Sequence, residues 1–298
     1  MITSASTSGI TIESASTSAT PATASASSTS TVLVASDLDR TLIYSSAALA
    51  LTMPDARAPR LLCVEVHESR PLSYMTETAA RLLTDLGGSA VFVPTTTRTR
   101  KQYQRINLPG PPPKYAICAN GGHLLVDGVS DLDWHAWVTD RLSDECAPLA
   151  EVREYLTVTS DPSWVRKHRV AEDLFAYLVV ERDLLPEQWV KELAVWADER
   201  GWTVSVQGRK VYAVPKPLTK SAAMLEVARR TGAGLTLAAG DSLLDADLLL
   251  AAGLAWRPGH GELADVGWTA PHLTSVPEAG VLAGEEILRG LLRTVAEA

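Results

Sequence analysis

Asp37 and Asp39 stand two positions apart just after a short apolar run, and Thr41 follows two positions later. The run, residues 32–35, reads as a fully buried strand, and open α/β sheets carry their chemistry just past the carboxyl ends of such strands. Two carboxylates at one strand end are costly. At about 4 Å and an effective dielectric near 20, like charges repel by roughly 4 kcal/mol. A cation, a shared proton or a catalytic task would justify the pair. Asp and Thr also favour turns and helix caps, so this segment alone reads equally well as a strand with a polar turn.

Other strand ends carry polar groups too. Residues 90–93 form a second apolar strand that runs into Pro94, Thr95, Thr96, Thr97 and Arg98. Hydroxyls, a guanidinium and the free N–H groups of a helix start suit phosphate, although threonine serves equally as a plain N-cap. Within the basic cluster of Arg98, Arg100, Lys101 and Arg105, only Arg98 is close enough to the strand end for ligand contact. A third strand, residues 115–118, ends at Asn120, Gly121 and Gly122. After residue 210 a strand (211–214) precedes Lys220, which opens an amphipathic helix closing near Gly232. Residues 235–239 then lead into Gly240-Asp241-Ser242-Leu243-Leu244-Asp245.

The elements needed to hold these groups alternate β and α, which implies a doubly wound, mostly parallel sheet. Residues 61–66 read as a strand of a hairpin, 73–86 as a helix ended by Gly87-Gly88, and 278–296 as a terminal helix. Between residues 129 and 209 the texture changes. Tryptophans occur at 134, 137, 164, 189, 196 and 202, with a helical stretch over 137–156 and strands over 176–180 and 202–206. We read this as an inserted α+β unit between two parts of one core, 31–128 and 210–298. Inside it, Arg166, Lys167, His168 and Arg169 are either a solvated face or a site for an anionic substrate.

Composition sets bounds. The chain has 298 residues, 46% hydrophobic and 21% charged, with a formal net charge of −8. An acidic balance argues against non-specific nucleic-acid binding. The longest apolar stretch, 248–256, is too short to span a bilayer. The three cysteines lack metal-ligand spacing and are expected as buried thiols in a reducing, cytoplasmic setting. Residues 1–30 are mostly Ser, Thr and Ala, with no basic segment before an apolar core, and are expected to be a disordered tail rather than a secretory signal. No nucleotide-binding glycine motif follows a strand.

Taken in order, these strand ends resemble the motifs of the haloacid dehalogenase (HAD) superfamily of phosphohydrolases. Asp37-Leu38-Asp39-Arg40-Thr41 looks like its first motif, Lys220 its third, and Gly240 to Asp245 its fourth. The second is Thr95 or Thr96, with Thr96 favoured because Thr96-Thr97-Arg98 keeps a Thr-x-Arg spacing. Arg40 stands where glycine is common. An insertion between the second and third motifs implies the large α/β cap of Cof-type, sucrose-phosphate and mannosyl-phosphoglycerate phosphatases. The resemblance implies a Mg²⁺-dependent phosphatase for a small phosphorylated metabolite, with Asp37 as nucleophile and Asp39 as acid/base. Thr96 and Lys220 would bind the phosphoryl oxygens. Asp37, Asp39 through its backbone carbonyl, and Asp241 would hold the metal, and Asp245 would be a further ligand or hold Lys220. Thr41, Thr97, Arg98, Asn120, Gly121, Arg166, Lys167 and Arg169 are expected toward substrate, with Glu65 and His67 as further candidates. A phosphomutase or a non-catalytic binding protein of the same fold are the alternatives.

Overall fold

The computed structural model describes residues 31–298; the tail expected over 1–30 lies outside them. Strand β1 (Val32–Ser36) is buried at every residue, as a strand covered on both faces must be. Its side chains alternate between two apolar layers. Val32 and Val34 face one, and Leu33 and Ala35 face the other. A hairpin of β2 (Leu61–His67) and β3 (Arg70–Thr76) follows, then α1 (Glu77–Ser89) and β4 (Val91–Pro94). A one-turn helix, α2 (Arg100–Tyr103), precedes the small antiparallel sheet β5 (Tyr115–Cys118), β6 (His123–Val126) and β7 (Val129–Ser130).

Next come α3 (Leu132–Glu145), α4 (Leu149–Thr159), β8 (Val165–Ala171), β9 (Phe175–Val180), α5 (Glu187–Asp198), β10 (Trp202–Gln207) and β11 (Lys210–Pro215). The four strands form one antiparallel sheet in the order β10-β11-β9-β8. Helix α4 packs against β9 and α5 against β10. Trp164, Leu178, Leu193, Trp202 and Val211 are buried in this unit, and the Trp202 indole donates to the Ala147 carbonyl at 2.8 Å.

The chain then returns through α6 (Lys220–Thr231), β12 (Leu235–Ala239), α7 (Ala246–Ala251), β13 (Leu254–Arg257), α8 (Glu262–Asp265), β14 (Leu273–Ser275) and α9 (Val281–Glu297). The main sheet runs β14-β13-β12-β1-β4, parallel throughout. A bridge from Thr95 to Ile117 brings β5 to its edge. Among the described residues no helix is long and apolar enough to cross a membrane.

Four expectations change. Residues 73–76 are strand, and Thr76 caps α1 by accepting from the Ala79 amide at 3.0 Å. The stretch 137–156 is two helices, broken before Pro148, which has no N–H to continue the first. Cys63 is exposed rather than buried. Strand β11 belongs to the antiparallel sheet, so the chain rejoins the parallel core after Pro215, not at 210. A short apolar run does not reveal its sheet partners, and here the Gly208 turn folds it back on β10.

Candidate active site

The site lies where β1, β4 and β12 end side by side. Asp37 leaves β1 with its amide bonded to the Ala239 carbonyl at 2.8 Å. The chain then coils tightly, with the amides of Leu42 and Ile43 both donating to the Leu38 carbonyl at 2.9 Å. That coil forces Arg40 to φ 64, left-handed backbone that glycine adopts without strain. The Arg40 Nε lies 3.2 Å from Asp241 Oδ2.

Lys220 is fully buried at the first position of α6. A cation there opposes the helix dipole and is stable only with anionic partners. Its Nζ donates to Asp37 Oδ1 at 2.6 Å and to Asp245 Oδ1 at 2.5 Å, and these carboxylates keep it charged against the cost of burial. The other oxygen of Asp245 accepts from the Asp241 amide, the Ser242 amide and the Ser242 hydroxyl, at 3.1, 2.9 and 2.8 Å. With both oxygens engaged, Asp245 holds Lys220 and the Asp241 loop in place. Gly240 is required beside it, because any Cβ there would overlap the Asp245 carboxyl.

Asp37, Asp241 and Asp245 offer oxygens that all lie within 4.8 Å of one another. Burial, then the neighbouring carboxylates, push Asp37 up to about 7 against the pull of Lys220. Burial and then Asp37 and Asp245 raise Asp241 well above the usual carboxylate range. Three buried carboxylates thus face one ammonium, with Arg40 at the margin. Asp37 Oδ2 has only a long 3.4 Å contact from the Thr41 hydroxyl. A divalent cation held by oxygen ligands fits this excess of negative charge. Asp37 and Asp241 are the carboxylates with ligand capacity left.

Asp39 is placed differently. Its side chain is 42% exposed, and Arg98 grips it with two hydrogen bonds, Nε to Oδ2 at 2.6 Å and Nη2 to Oδ1 at 2.7 Å. Against desolvation, the guanidinium holds Asp39 below the usual carboxylate range. Arg98 also donates to Glu65 at 2.7 Å, and Glu65 further accepts from Ser73 and Arg105. Arg98 is therefore committed to two carboxylates and positions Asp39, instead of standing free for phosphate.

The threonines separate by their hydrogen bonds. Thr95 donates its hydroxyl to the Val93 carbonyl at 3.0 Å. The buried Thr96 hydroxyl accepts from the Arg98 amide at 3.1 Å and donates to no protein group among the described residues. Thr97 is buried next to it. Asn120, at φ 56, donates Nδ2 to the Leu218 carbonyl at 2.8 Å, and Gly121, at φ 99, leaves room for the Thr219 carbonyl that a Cβ would strike. Both brace the turn before Lys220, while the buried Asn120 Oδ1 has no hydrogen-bond partner among the described residues. Arg166 is paired with Glu181 at 2.7 Å on the surface. His67 is exposed on the hairpin.

Three residues escaped the sequence reading. Lys210 lies 5.6 Å from the ring centroids of both Tyr177 and Tyr212. Tyr212, then Asp39, raise its pKa to about 12. An alternating Lys210-Val211-Tyr212 pattern was the available signal, hidden by assigning that strand to the wrong sheet.

No family model matches the chain, and no curated protein matches it by sequence. Solved structures do match. The structure is similar to the sucrose-phosphatase from Synechocystis sp. PCC6803 in complex with sucrose and phosphate, at 14% identity and a TM-score of 0.57, over 90% of this chain and 97% of that one. It is similar to the HAD subclass IIB sugar phosphatase BT4131, at 14% identity and 0.53, over 89% and 99%. A Thermoplasma acidophilum protein aligns at 11% identity and 0.54, over 88% and 99%. The fold is that of the HAD superfamily. The HAD resemblance drawn from strand-end motifs thus extends to the layout of the parallel core and the antiparallel cap sheet inserted into it.

Proposed function

We propose that this HAD-fold protein is a Mg²⁺-dependent phosphatase that hydrolyses a small phosphorylated metabolite, of the sugar-phosphate kind, through an aspartyl-phosphate. The observation that carries the reading is the buried Asp37–Lys220–Asp245 chain beside Asp241. Two solved structures of the same fold are named as phosphatases of sugar substrates, which supports the substrate class.

Asp37 and Asp241, with the Asp39 backbone carbonyl, would hold Mg²⁺. When bound, the cation supplies positive charge to the phosphoryl oxygens and keeps Asp37 ionised. An Asp37 oxygen attacks phosphorus while the bond to the ester oxygen breaks, and Asp39 passes a proton to that oxygen. Lys220 and the Thr96 hydroxyl bind the equatorial oxygens, over which transition-state charge is spread. Asp39, now a carboxylate, takes a proton from the water that attacks the aspartyl-phosphate, and inorganic phosphate leaves. Arg98 favours the ionised form of Asp39 that the second half needs.

The test is a panel of phosphate esters with Mg²⁺ and a phosphate-release readout, with no bisphosphate activator. The wild-type protein turns over at least one ester, and Asp37→Asn abolishes turnover while keeping the circular dichroism spectrum. Hydrolysis persisting near the wild-type rate in Asp37→Asn would exclude it as the nucleophile.

A further inference from the structure

The cap sheet turns one face toward the core, and its registers say which side chains share that face. Opposed residues in antiparallel pairs lie on the same side. One row runs Gln207, Lys210, Val179, Lys167, and the next runs Ser205, Tyr212, Tyr177, Arg169. Ser205 fixes the direction of the face, since its hydroxyl donates to Glu262 of the core at 2.6 Å. Glu262 also accepts from the Leu243 amide beside Asp241 at 3.1 Å, and at the other edge Glu172, in the β8–β9 turn, accepts from the Arg100 amide at 2.8 Å, so the face between them spans the strand ends that carry Asp37, Asp39 and Thr96. Tyr177 and Tyr212 are buried with ring centroids 5.3 Å apart, forming an aromatic bed under the Lys210 ammonium.

The cations on this face have no carboxylate at ion-pair distance among the described residues, although Arg169 donates to the His168 carbonyl at 3.3 Å and Lys210 lies over the two tyrosine rings. Ion pairs of the cap take Arg166 to Glu181, Arg200 to Glu151 and Lys216 to Asp198; none takes Lys167, Arg169 or Lys210 among the described residues. In a protein of net charge −8 such a concentration is not expected from composition. A phosphate ester bound at Asp37 must direct its leaving group past Asp39, and hence toward this face. Ammonium and guanidinium groups bind carboxylate or phosphate through charge-assisted hydrogen bonds, and the two buried tyrosines hold the Lys210 ammonium in place from below.

Resting on the phosphatase reading, we propose that the substrate's leaving group carries its own anionic group, a carboxylate or a second phosphoryl, held by Lys210 and Arg169 above the Tyr177–Tyr212 bed. The neutral sugar phosphates are then the poorer ligands.

The experiment measures equilibrium binding to Asp37→Asn protein with Mg²⁺, which does not depend on turnover. Matched ligands are 6-phosphogluconate against glucose 6-phosphate, phosphoglycerate against glycerol phosphate, and fructose bisphosphate against fructose 6-phosphate. The first two pairs report a carboxylate and the third a second phosphoryl. At least one anionic member binds about tenfold or more tightly than its partner, in line with a charge-assisted hydrogen bond. Adding Lys210→Met removes most of that preference, and Arg169→Met, at an exposed site where folding is not at stake, removes part of it. Equal affinity within every pair, no binding by any ligand, or a preference untouched by both substitutions overturns the proposal. Failure of the wild-type protein with Mg²⁺ to release phosphate from any of these esters or from p-nitrophenyl phosphate would instead remove the phosphatase reading, so the two failures are distinct.

Discussion

Without a divalent cation, the charge trapped between β1 and β12 should make the protein less stable as pH rises. Burial pushes Asp37 up to about 7 in the folded state, against 3.8 for the free side chain. Its folded form therefore holds a proton that the unfolded chain has already released. Between those values the folded state binds more protons, so unfolding free energy falls with pH, by about 1.4 kcal/mol per unit. From pH 5 to 7 the loss is about 2 kcal/mol, because the slope falls off as the folded carboxyl itself ionises near 7. Other groups overlap this window. His123, pushed down to about 4 by burial and then by His135, contributes stability that is present above 6.5 and lost as pH falls. The difference between Asp37→Asn and wild type isolates the carboxylate. Urea unfolding in a chelating buffer, from pH 5 to 8, should show the variant strengthening relative to wild type by about that amount. Saturating Mg²⁺ should flatten the difference, because the cation binds the folded carboxylates. A difference that stays constant with pH in chelator, or one that Mg²⁺ leaves unchanged, refutes the electrostatic account of this site.

Other substitutions test individual contacts. Arg98→Met releases Asp39 from its bidentate partner and raises its pKa, and because leaving-group departure needs protonated Asp39, the basic limb of kcat/KM should move to higher pH; an unmoved limb would separate Asp39 from proton transfer. Glu262→Ala removes the bonds from α8 to Ser205, the Val206 amide and the Leu243 amide, and should raise KM by about tenfold through a loosened cap, measured by steady-state kinetics. Gly121→Ala meets both φ 99 and the Thr219 carbonyl, and should cost at least 2 kcal/mol in urea unfolding.

The strand-end carboxylates and Lys220 were readable because parallel strands deliver their last residues to one edge, and the Asp-x-Asp and Gly-Asp spacings mark those ends. The roles of Arg98, Asn120 and Gly121 were not. A polar group at a strand end can serve the protein as readily as a ligand, and only coordinates show Arg98 occupied by Asp39 and Glu65, or Asn120 by Leu218. Lys210 and the two tyrosines were hidden for a different reason. Strand parity is invisible until the sheet is known, and placing β11 in the parallel core pointed its side chains nowhere useful.

The Asn120–Leu218 bond has one more effect. β11 ends at Pro215 and Lys220 opens α6, so the roof of the cleft and its innermost ammonium are joined by only a few residues of chain. Were that tether slack, each swing of the roof would tug the ammonium out of line with the nucleophile. Pinned at Leu218 by the Asn120 amide, the tether is fixed to the core two residues before Lys220.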